Sequence, residues 1–163
     1  MAYQIVPIEE QHIKGFNAAL GVIAREKKYI SFTKTPSLIS TRKFVIDNIQ
    51  KGNPQFVLVV DGKVGGWCDI IPKEKDVDRH VGRMGVGLLP EYRGKGIGGK
   101  LIKKTLKKAK EKGLKRIELG VRADNRNALG LYLKLGFEIE GLQKKAHYID
   151  GKYIDVYMMA LFI

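Results

Sequence analysis

The chain has 163 residues, of which 44% are hydrophobic and 29% charged, a composition typical of one soluble globular domain spanning residues 1–163. With Cys68 as its only cysteine, the chain cannot form an intramolecular disulfide, which favours a location in the reducing cytoplasm. The sequence shows neither a signal-peptide pattern nor an apolar segment of roughly 20 residues, which argues against a membrane protein. The formal net charge of +13 favours anionic partners.

The N-terminal part of the chain predicts a strand followed by two helices. After a short strand over residues 3–6, apolar residues recur at helical spacing from about Glu9 to Arg25. A second helix is expected from Leu38 to about Gln50, with Ser37 as its N-cap. Residues 26–36 are expected to form a loop between the two helices.

The hydrophobic period changes to two at the centre of the chain. Residues 55–60 and 63–71 flank Asp61-Gly62, a pair typical of a two-residue β-hairpin turn. Another strand is expected over residues 80–89, and its three glycines indicate a bulge or a close approach of other backbone. This region therefore predicts a hairpin followed by a further strand.

The segment after this strand predicts a β-α-β crossover. A helix that starts near Ile97 carries an apolar face and a lysine-rich face, and Gly113 is suited to end it. It connects the strand at residues 80–89 to a strand at residues 116–121, and such connections are right-handed in nearly all proteins.

The C-terminal part predicts a short helix and a second hairpin. The helix ends at Gly136, and two strands, residues 137–149 and 152–163, flank Asp150-Gly151. The fold class is therefore mixed α/β, with antiparallel hairpins at both ends of the chain and one crossover in the middle.

The segment Pro90–Leu101, PEYRGKGIGGKL, fits three phosphate-loop patterns. A nucleotide P-loop requires Ser or Thr after the lysine, where this chain has Leu101. A dinucleotide fingerprint requires an acidic residue at the end of the next strand, whereas Glu118 lies inside it. The third pattern, R-x-x-G-x-G, matches residues 93–98 directly after a strand. A glycine-rich connection without a ligand is the remaining alternative.

Two motifs of the chain resemble those of the GNAT superfamily of N-acetyltransferases. Residues 93–98 are similar to the family's acyl-CoA pyrophosphate loop, and residues 119–141, LGVRADNRNALGLYLKLGFEIEG, are similar to a second family segment. The resemblance covers about Gly65 to Leu161 and is closest in pattern to bacterial small-amine and ribosomal-protein N-acetyltransferases. It implies a central twisted, mostly antiparallel sheet with splayed fourth and fifth strands and about four helices.

The resemblance also implies where the cofactor, acetyl-CoA, would bind. Its pantetheine arm would pair with the strand before the loop, near an expected bulge at residues 85–87, and its diphosphate would lie on loop amides. Asn125 would contact the cofactor arm or cap the next helix, and Tyr132 would be the general acid beside the thioester sulfur. The implied cofactor-binding residues are Val86, Gly87, Leu88, Arg93, Gly94, Lys95, Gly96, Ile97, Gly98, Gly99, Asn125 and Tyr132.

The sequence leaves the general base open. A lysine-like amine with a pKa of about 10.4 must lose a proton before it attacks a thioester, so a base would help. Protein-acetylating relatives often carry a glutamate on one of the two splayed strands, but Arg83 and Gly120 occupy the corresponding positions. His80 is the first remaining candidate and Asp69 the second. The spacing of the histidines and Cys68 indicates no metal site.

The implied function is direct transfer of the acetyl group to a primary amine of a small molecule, an amino acid or a protein N-terminus. By resemblance, the loop with Tyr29 and Phe32 and the last hairpin with Tyr148 and Tyr153 would shape the acceptor pocket. The alternatives are a CoA-binding relative without catalysis, or a basic module that binds nucleic acid through the lysine-rich helix, although no aromatic residues for base stacking alternate with its lysines. The last strand is apolar enough to join another sheet edge, which would allow a homodimer.

Overall fold

The computed structural model describes residues 1–163 as a seven-stranded sheet flanked by four α-helices. The strands are β1 (Gln4–Pro7), β2 (Gln55–Val60), β3 (Lys63–Pro72), β4 (Val81–Leu88), β5 (Arg116–Arg122), β6 (Glu138–Ile149) and β7 (Lys152–Phe162). The helices are α1 (Ile13–Glu26), α2 (Leu38–Lys51), α3 (Ile97–Glu111) and α4 (Arg126–Lys134). The strand order is β1-β2-β3-β4-β5-β7-β6, and only β4 and β5 are parallel. The predicted mixed α/β fold with one crossover is confirmed.

Both predicted hairpin turns are confirmed. Asp61 and Gly62 have φ values of 49° and 74°, and Asp150 and Gly151 have values of 50° and 77°. Two consecutive residues with positive φ form the turn that matches the twist of paired strands, and Asp-Gly adopts it readily. The turns therefore follow from local sequence.

The helices cover both faces of the sheet, with α1 and α2 on one face and α3 and α4 on the other. Adjacent strand residues point to opposite faces, so Trp67 packs edge-on against Phe16 of α1 while Cys68 lies in the core with Leu101 of α3. The predicted N-cap of α2 is confirmed, because the Ser37 side chain accepts a hydrogen bond from the backbone N–H of Ser40, the third residue of the helix.

β4 and β5 separate along their length. They pair only from Val81–Arg116 to Arg83–Glu118, and their remaining residues diverge, which confirms the predicted splay. The expected bulge at residues 85–87 is wrong, because β3 and β4 keep an unbroken register from Gly66–Leu88 to Pro72–Gly82. Gly87 instead makes room for Trp67, whose ring would lie 2.4 Å from a Cβ at that position.

The last strand, β7, lies inside the sheet between β5 and β6. The expectation that it could join the sheet edge of a second copy is therefore wrong, since both of its edges are already paired; the edge strands are β1 and β6. No helix combines the length and the apolar character needed to cross a membrane.

Candidate active site

The gap between β4 and β5 opens into a cavity of about 570 Å³. Where the two strands stop pairing, side chains from both faces of the sheet reach the same space. Asp69 enters from β3 and Tyr132 from α4. Apolar side chains from α1, the loop after it, α2 and β7 form one part of the wall, which includes Phe16, Leu20, Tyr29, Ile30, Phe32, Phe44 and Met158.

Asp69 is the acidic residue of this cavity. It lies opposite Gly85 in the β3–β4 register, and 8% of its surface is exposed. Burial raises its pKa from 3.8 to about 7, and the backbone amide of Gly85 opposes this only in part. A carboxyl group with such a pKa exchanges its proton near neutral pH, as a general base requires. An acidic residue inside the apolar run GGWCDII is the sequence feature that indicates this burial.

His80, the first candidate for the base, does not line the cavity. It is exposed and precedes β4, at the end where β4 and β5 are still paired. It lies five positions before Gly85, which corresponds to roughly 16 Å along a strand. Its backbone carbonyl accepts hydrogen bonds from the amides of Lys115 and Arg116. We therefore do not retain His80 as the base.

Tyr132 lies in the second turn of α4 and is 8% exposed. Its ring packs against Phe137, with the ring centroids 5.8 Å apart. Burial, with a smaller contribution from neighbouring Cys68, raises the pKa of its phenol above the ordinary value of 10. The hydroxyl therefore stays protonated at neutral pH. Burial likewise raises the pKa of the Cys68 thiol, which excludes a thiolate nucleophile there.

The loop before α3 presents a row of unpaired backbone amides. None of the six N–H groups from Gly94 to Gly99 donates a hydrogen bond to another backbone group. Gly94 and Gly96 have φ values of 71° and 74°, and Gly96 is the N-cap of α3. Converging amides at the positive end of a helix dipole form an anion site. The side chain of Ile97 is buried in the core, so only its amide belongs to this site.

Arg93 fastens this loop to the end of α1. Its guanidinium forms two hydrogen bonds with the carboxylate of Glu26, at 2.9 and 2.6 Å, and stacks 4.4 Å from the ring centroid of Tyr29. Its Nε donates to the carbonyl of Leu88 at 2.9 Å. The side chain of Lys95 donates to the carbonyl of Glu91. Both side chains thus have protein partners, and the anion site consists of backbone.

The other residues implied by the resemblance lie on β4 and at the start of α4. Val86, Gly87 and Leu88 belong to the part of β4 that has no partner in β5. Asn125 caps α4, because its Oδ1 accepts a hydrogen bond from the amide of Ala128 at 3.3 Å. Its capping role is thereby confirmed, while its contact with a cofactor stays a prediction.

The expected acceptor region is only partly assembled as predicted. Tyr29 and Phe32 line the cavity, whereas Tyr148 and Tyr153 pack against each other, with ring centroids 4.9 Å apart, outside it. His147 of β6 lines the cavity instead, and its Nδ1 is buried without a hydrogen-bond partner. A second, more polar groove of about 1030 Å³ shares Tyr29 and Arg122 with the cavity, and Asn125 and Tyr153 line it.

We expect Asp69→Asn to increase stability in a pH-dependent way. The folded-state pKa of about 7 exceeds the unfolded value of 3.8, so the folded protein binds the proton more tightly and loses stability as the pH rises between these values. At 1.36 kcal/mol for each pH unit, the free energy of unfolding of the wild-type protein falls by up to about 4 kcal/mol over this range. Asparagine does not titrate, so the variant does not lose this stability. Urea unfolding of both proteins near pH 4 and pH 8 measures this. A constant difference between them would contradict the expectation.

Comparisons with known proteins agree with this geometry. Residues 24–137 match the model of the acetyltransferase (GNAT) family. An L-amino acid N-acetyltransferase of Escherichia coli is 34% identical over 110 residues, which cover 67% of this chain and 68% of that protein.

Solved structures share the fold over nearly the whole chain. A GNAT-family acetyltransferase from Streptococcus pneumoniae superposes with a TM-score of 0.93 and 27% identity, covering 99% of this chain and 100% of the other. A phosphinothricin acetyltransferase from Sinorhizobium meliloti, solved in complex with acetyl-CoA, has a TM-score of 0.93 and 19% identity, covering 100% of this chain and 89% of the other. The chain belongs to the GNAT family of acetyltransferases.

Proposed function

We propose that this protein transfers the acetyl group of acetyl-CoA to a primary amine of a small molecule, an amino acid or a protein N-terminus. The observation that carries the proposal is the continuity of the site. Six unpaired amides lie at one end of the gap between β4 and β5, and the gap opens into a cavity that contains Asp69 and Tyr132. The acetyl-CoA bound to the S. meliloti relative supports the choice of donor.

The residues along the gap fit acetyl-CoA. The amides from Gly94 to Gly99 would hold its diphosphate, since an anion there satisfies donors that have no backbone partner. The unpaired edge of β4, from Met84 to Leu88, offers backbone groups to the amides of the pantetheine arm. When bound, acetyl-CoA supplies the acetyl group as a thioester.

Asp69 is the proposed general base. An acceptor amine reaches the cavity mainly as an ammonium ion, and the carboxylate of Asp69 binds this ion and removes its proton. A base whose pKa lies near the working pH is present in its active form without holding the proton too strongly. The pKa of about 7 supports this assignment.

Tyr132 is the proposed group at the sulfur. Its hydroxyl is protonated and can donate a hydrogen bond where negative charge develops as the thiolate leaves. The raised pKa makes full proton transfer from the phenol to the leaving thiolate, whose thiol has a pKa of about 8.5, less favourable than transfer from an ordinary phenol. Its role is therefore to donate this hydrogen bond.

We expect Tyr132→Phe to lower kcat for acetyl transfer by about 100-fold, because it removes one donor at the developing charge. The dissociation constant of acetyl-CoA should stay within about twofold, since the ring and its packing against Phe137 are retained. Tyr3→Phe, which removes a hydroxyl that does not line the cavity, is the matched control. Unchanged kcat in Tyr132→Phe would exclude this role.

The function itself is tested by incubating the protein with acetyl-CoA and a panel of amines, amino acids and peptides while free thiol is measured. We expect thiol release that depends on an acceptor, with the N-acetyl product detected by mass spectrometry. Binding of acetyl-CoA without acceptor-dependent thiol release from any member of the panel would indicate a relative that has lost catalysis.

A further inference from the structure

Arg83 is the arginine of the cavity that has no partner. The other arginine there, Arg122, forms two hydrogen bonds with the carboxylate of Asp124 and a third with a backbone carbonyl. Arg83 forms none of the ion pairs or side-chain hydrogen bonds of the structure. Glu118, which lies opposite it on β5, forms ion pairs with Arg116 and Lys73 instead. A free guanidinium in a concave site is available to a ligand.

Arg83 and Asp69 point to the same side of the sheet. Arg83 lies opposite Ile71 on β3, and Gly85, two residues further along β4, lies opposite Asp69. Residues in this diagonal relation have Cα atoms about 7 Å apart on one face. The two side chains therefore offer a positive and a negative group to one small ligand.

The guanidinium of Arg83 reaches across the gap. Its Nη2 lies 3.9 Å from the position that a Cβ of Gly120 would occupy on β5. Gly120 lines the cavity, and a Cβ there would also lie 3.2 Å from a methyl group of Val156, so the guanidinium ends beside the glycine on the far side of the gap. The arginine thus stands where β4 and β5 begin to part, on the same face of the sheet as the proposed base.

A zwitterion matches this arrangement better than a simple amine. The planar guanidinium binds a carboxylate through two parallel hydrogen bonds, while the carboxylate of Asp69 attracts an ammonium group. In a free α-amino acid both groups are attached to one carbon atom. An amine without a carboxylate would bring its positive charge close to Arg83 with no compensation. The aromatic wall, including Phe32 and Phe44, suits an apolar side chain.

We propose that Arg83 binds the α-carboxylate of the acceptor, which makes the acceptor a free α-amino acid with an apolar side chain. Its amino group faces Asp69 and its side chain lies on the aromatic wall. This inference rests on the proposed acetyl transfer and adds to it the residue that selects the acceptor.

The test compares L-phenylalanine, L-methionine and L-leucine with their α-amides, which keep the amine and the side chain but lack the negative charge. With the wild-type protein and acetyl-CoA we expect kcat/KM to be about 10- to 100-fold higher for the acids, as measured by thiol release. Arg83→Ala should remove this preference through a loss on the acids alone, and Arg83→Lys should restore part of it. Arg79→Ala, which removes an exposed arginine of the β3–β4 loop, should keep the full preference.

A binding measurement separates this inference from the proposed function. Calorimetric titration of the three amino acids into the CoA-loaded protein should show binding that Arg83→Ala weakens by about 10-fold or more. If binding depends on Arg83 but no acceptor is acetylated, the acetyl-transfer proposal fails and the carboxylate site stands. If the amides are acetylated as fast as the acids, or if no amino acid binds in an Arg83-dependent way, the inference about Arg83 is overturned.

Discussion

Replacing Asp69 with asparagine is expected to lower kcat/KM for acetyl transfer by about 100-fold or more at pH 7, because asparagine cannot accept the proton of the acceptor ammonium. The pH profile should change as well. Wild-type kcat/KM should rise as the pH passes through about 7, since the base acts in its deprotonated form and its pKa lies there. Asp69→Asn should lack this step and keep only the rise at higher pH that belongs to the acceptor amine. Initial rates of thiol release between pH 6 and 9 measure both effects.

The control for this variant is Asp76→Asn, which makes the same chemical change at an exposed position of the β3–β4 loop. It should retain wild-type rates at every pH. The stability expected for Asp69→Asn makes the comparison informative, because a variant that is more stable and less active cannot owe its low activity to unfolding. A wild-type pH profile in Asp69→Asn would assign the proton transfer to another group of the cavity.

Replacing Gly96 with glutamate is expected to abolish acetyl-CoA binding. The new carboxylate would stand at the six unpaired amides and would repel the diphosphate from the N-terminus of α3. We expect the increase in melting temperature that acetyl-CoA produces in the wild-type protein to disappear, and the dissociation constant to rise by about 100-fold or more.

Gly113→Glu is the matched control for the loop. Gly96 and Gly113 have φ values of 74° and 97°, and a Cβ at either position would meet no atom within 4 Å. Both substitutions therefore carry a similar conformational cost of roughly 1–2 kcal/mol. Gly113 follows the C-terminus of α3, so its glutamate lies at the opposite end of the helix from the amides. Equal acetyl-CoA responses in the two variants would mean that the loop does not hold the diphosphate.

Several features of the protein could be predicted because they depend on neighbouring residues. Asp-Gly favours positive φ at both of its positions, so the two hairpin turns follow from two residues each. The apolar face of α3 and the glycine-rich loop before it lie within one short segment, and their spacing also carried the family resemblance. The resemblance in turn implied the splay of β4 and β5, which the register of these strands confirms.

The roles of single side chains in the site were predicted less well. The phosphate-loop pattern includes Arg93 but contains no information about Glu26, which lies 67 residues earlier and binds its guanidinium. His80 and Asp69 were both acceptable bases in sequence, and only the register of β3 and β4 shows that Asp69 faces the gap while His80 lies at the paired end of the strand. The sequence identified Arg83 as a departure from the family pattern. That its guanidinium lies near Gly120 could not be predicted, because it depends on β4 and β5 being neighbours in the folded sheet.

The sequence by itself thus determined the turns, the helices, the loop of free amides and the membership of a family. The tertiary structure decided that β7 enters the sheet between β5 and β6, that Asp69 is desolvated and that the guanidinium of Arg93 is paired with Glu26. The physical reason is the range of the interactions. Backbone φ preferences and helical periodicity act over a few residues, whereas the pKa of a carboxyl group and the partner of a guanidinium depend on groups brought together by folding.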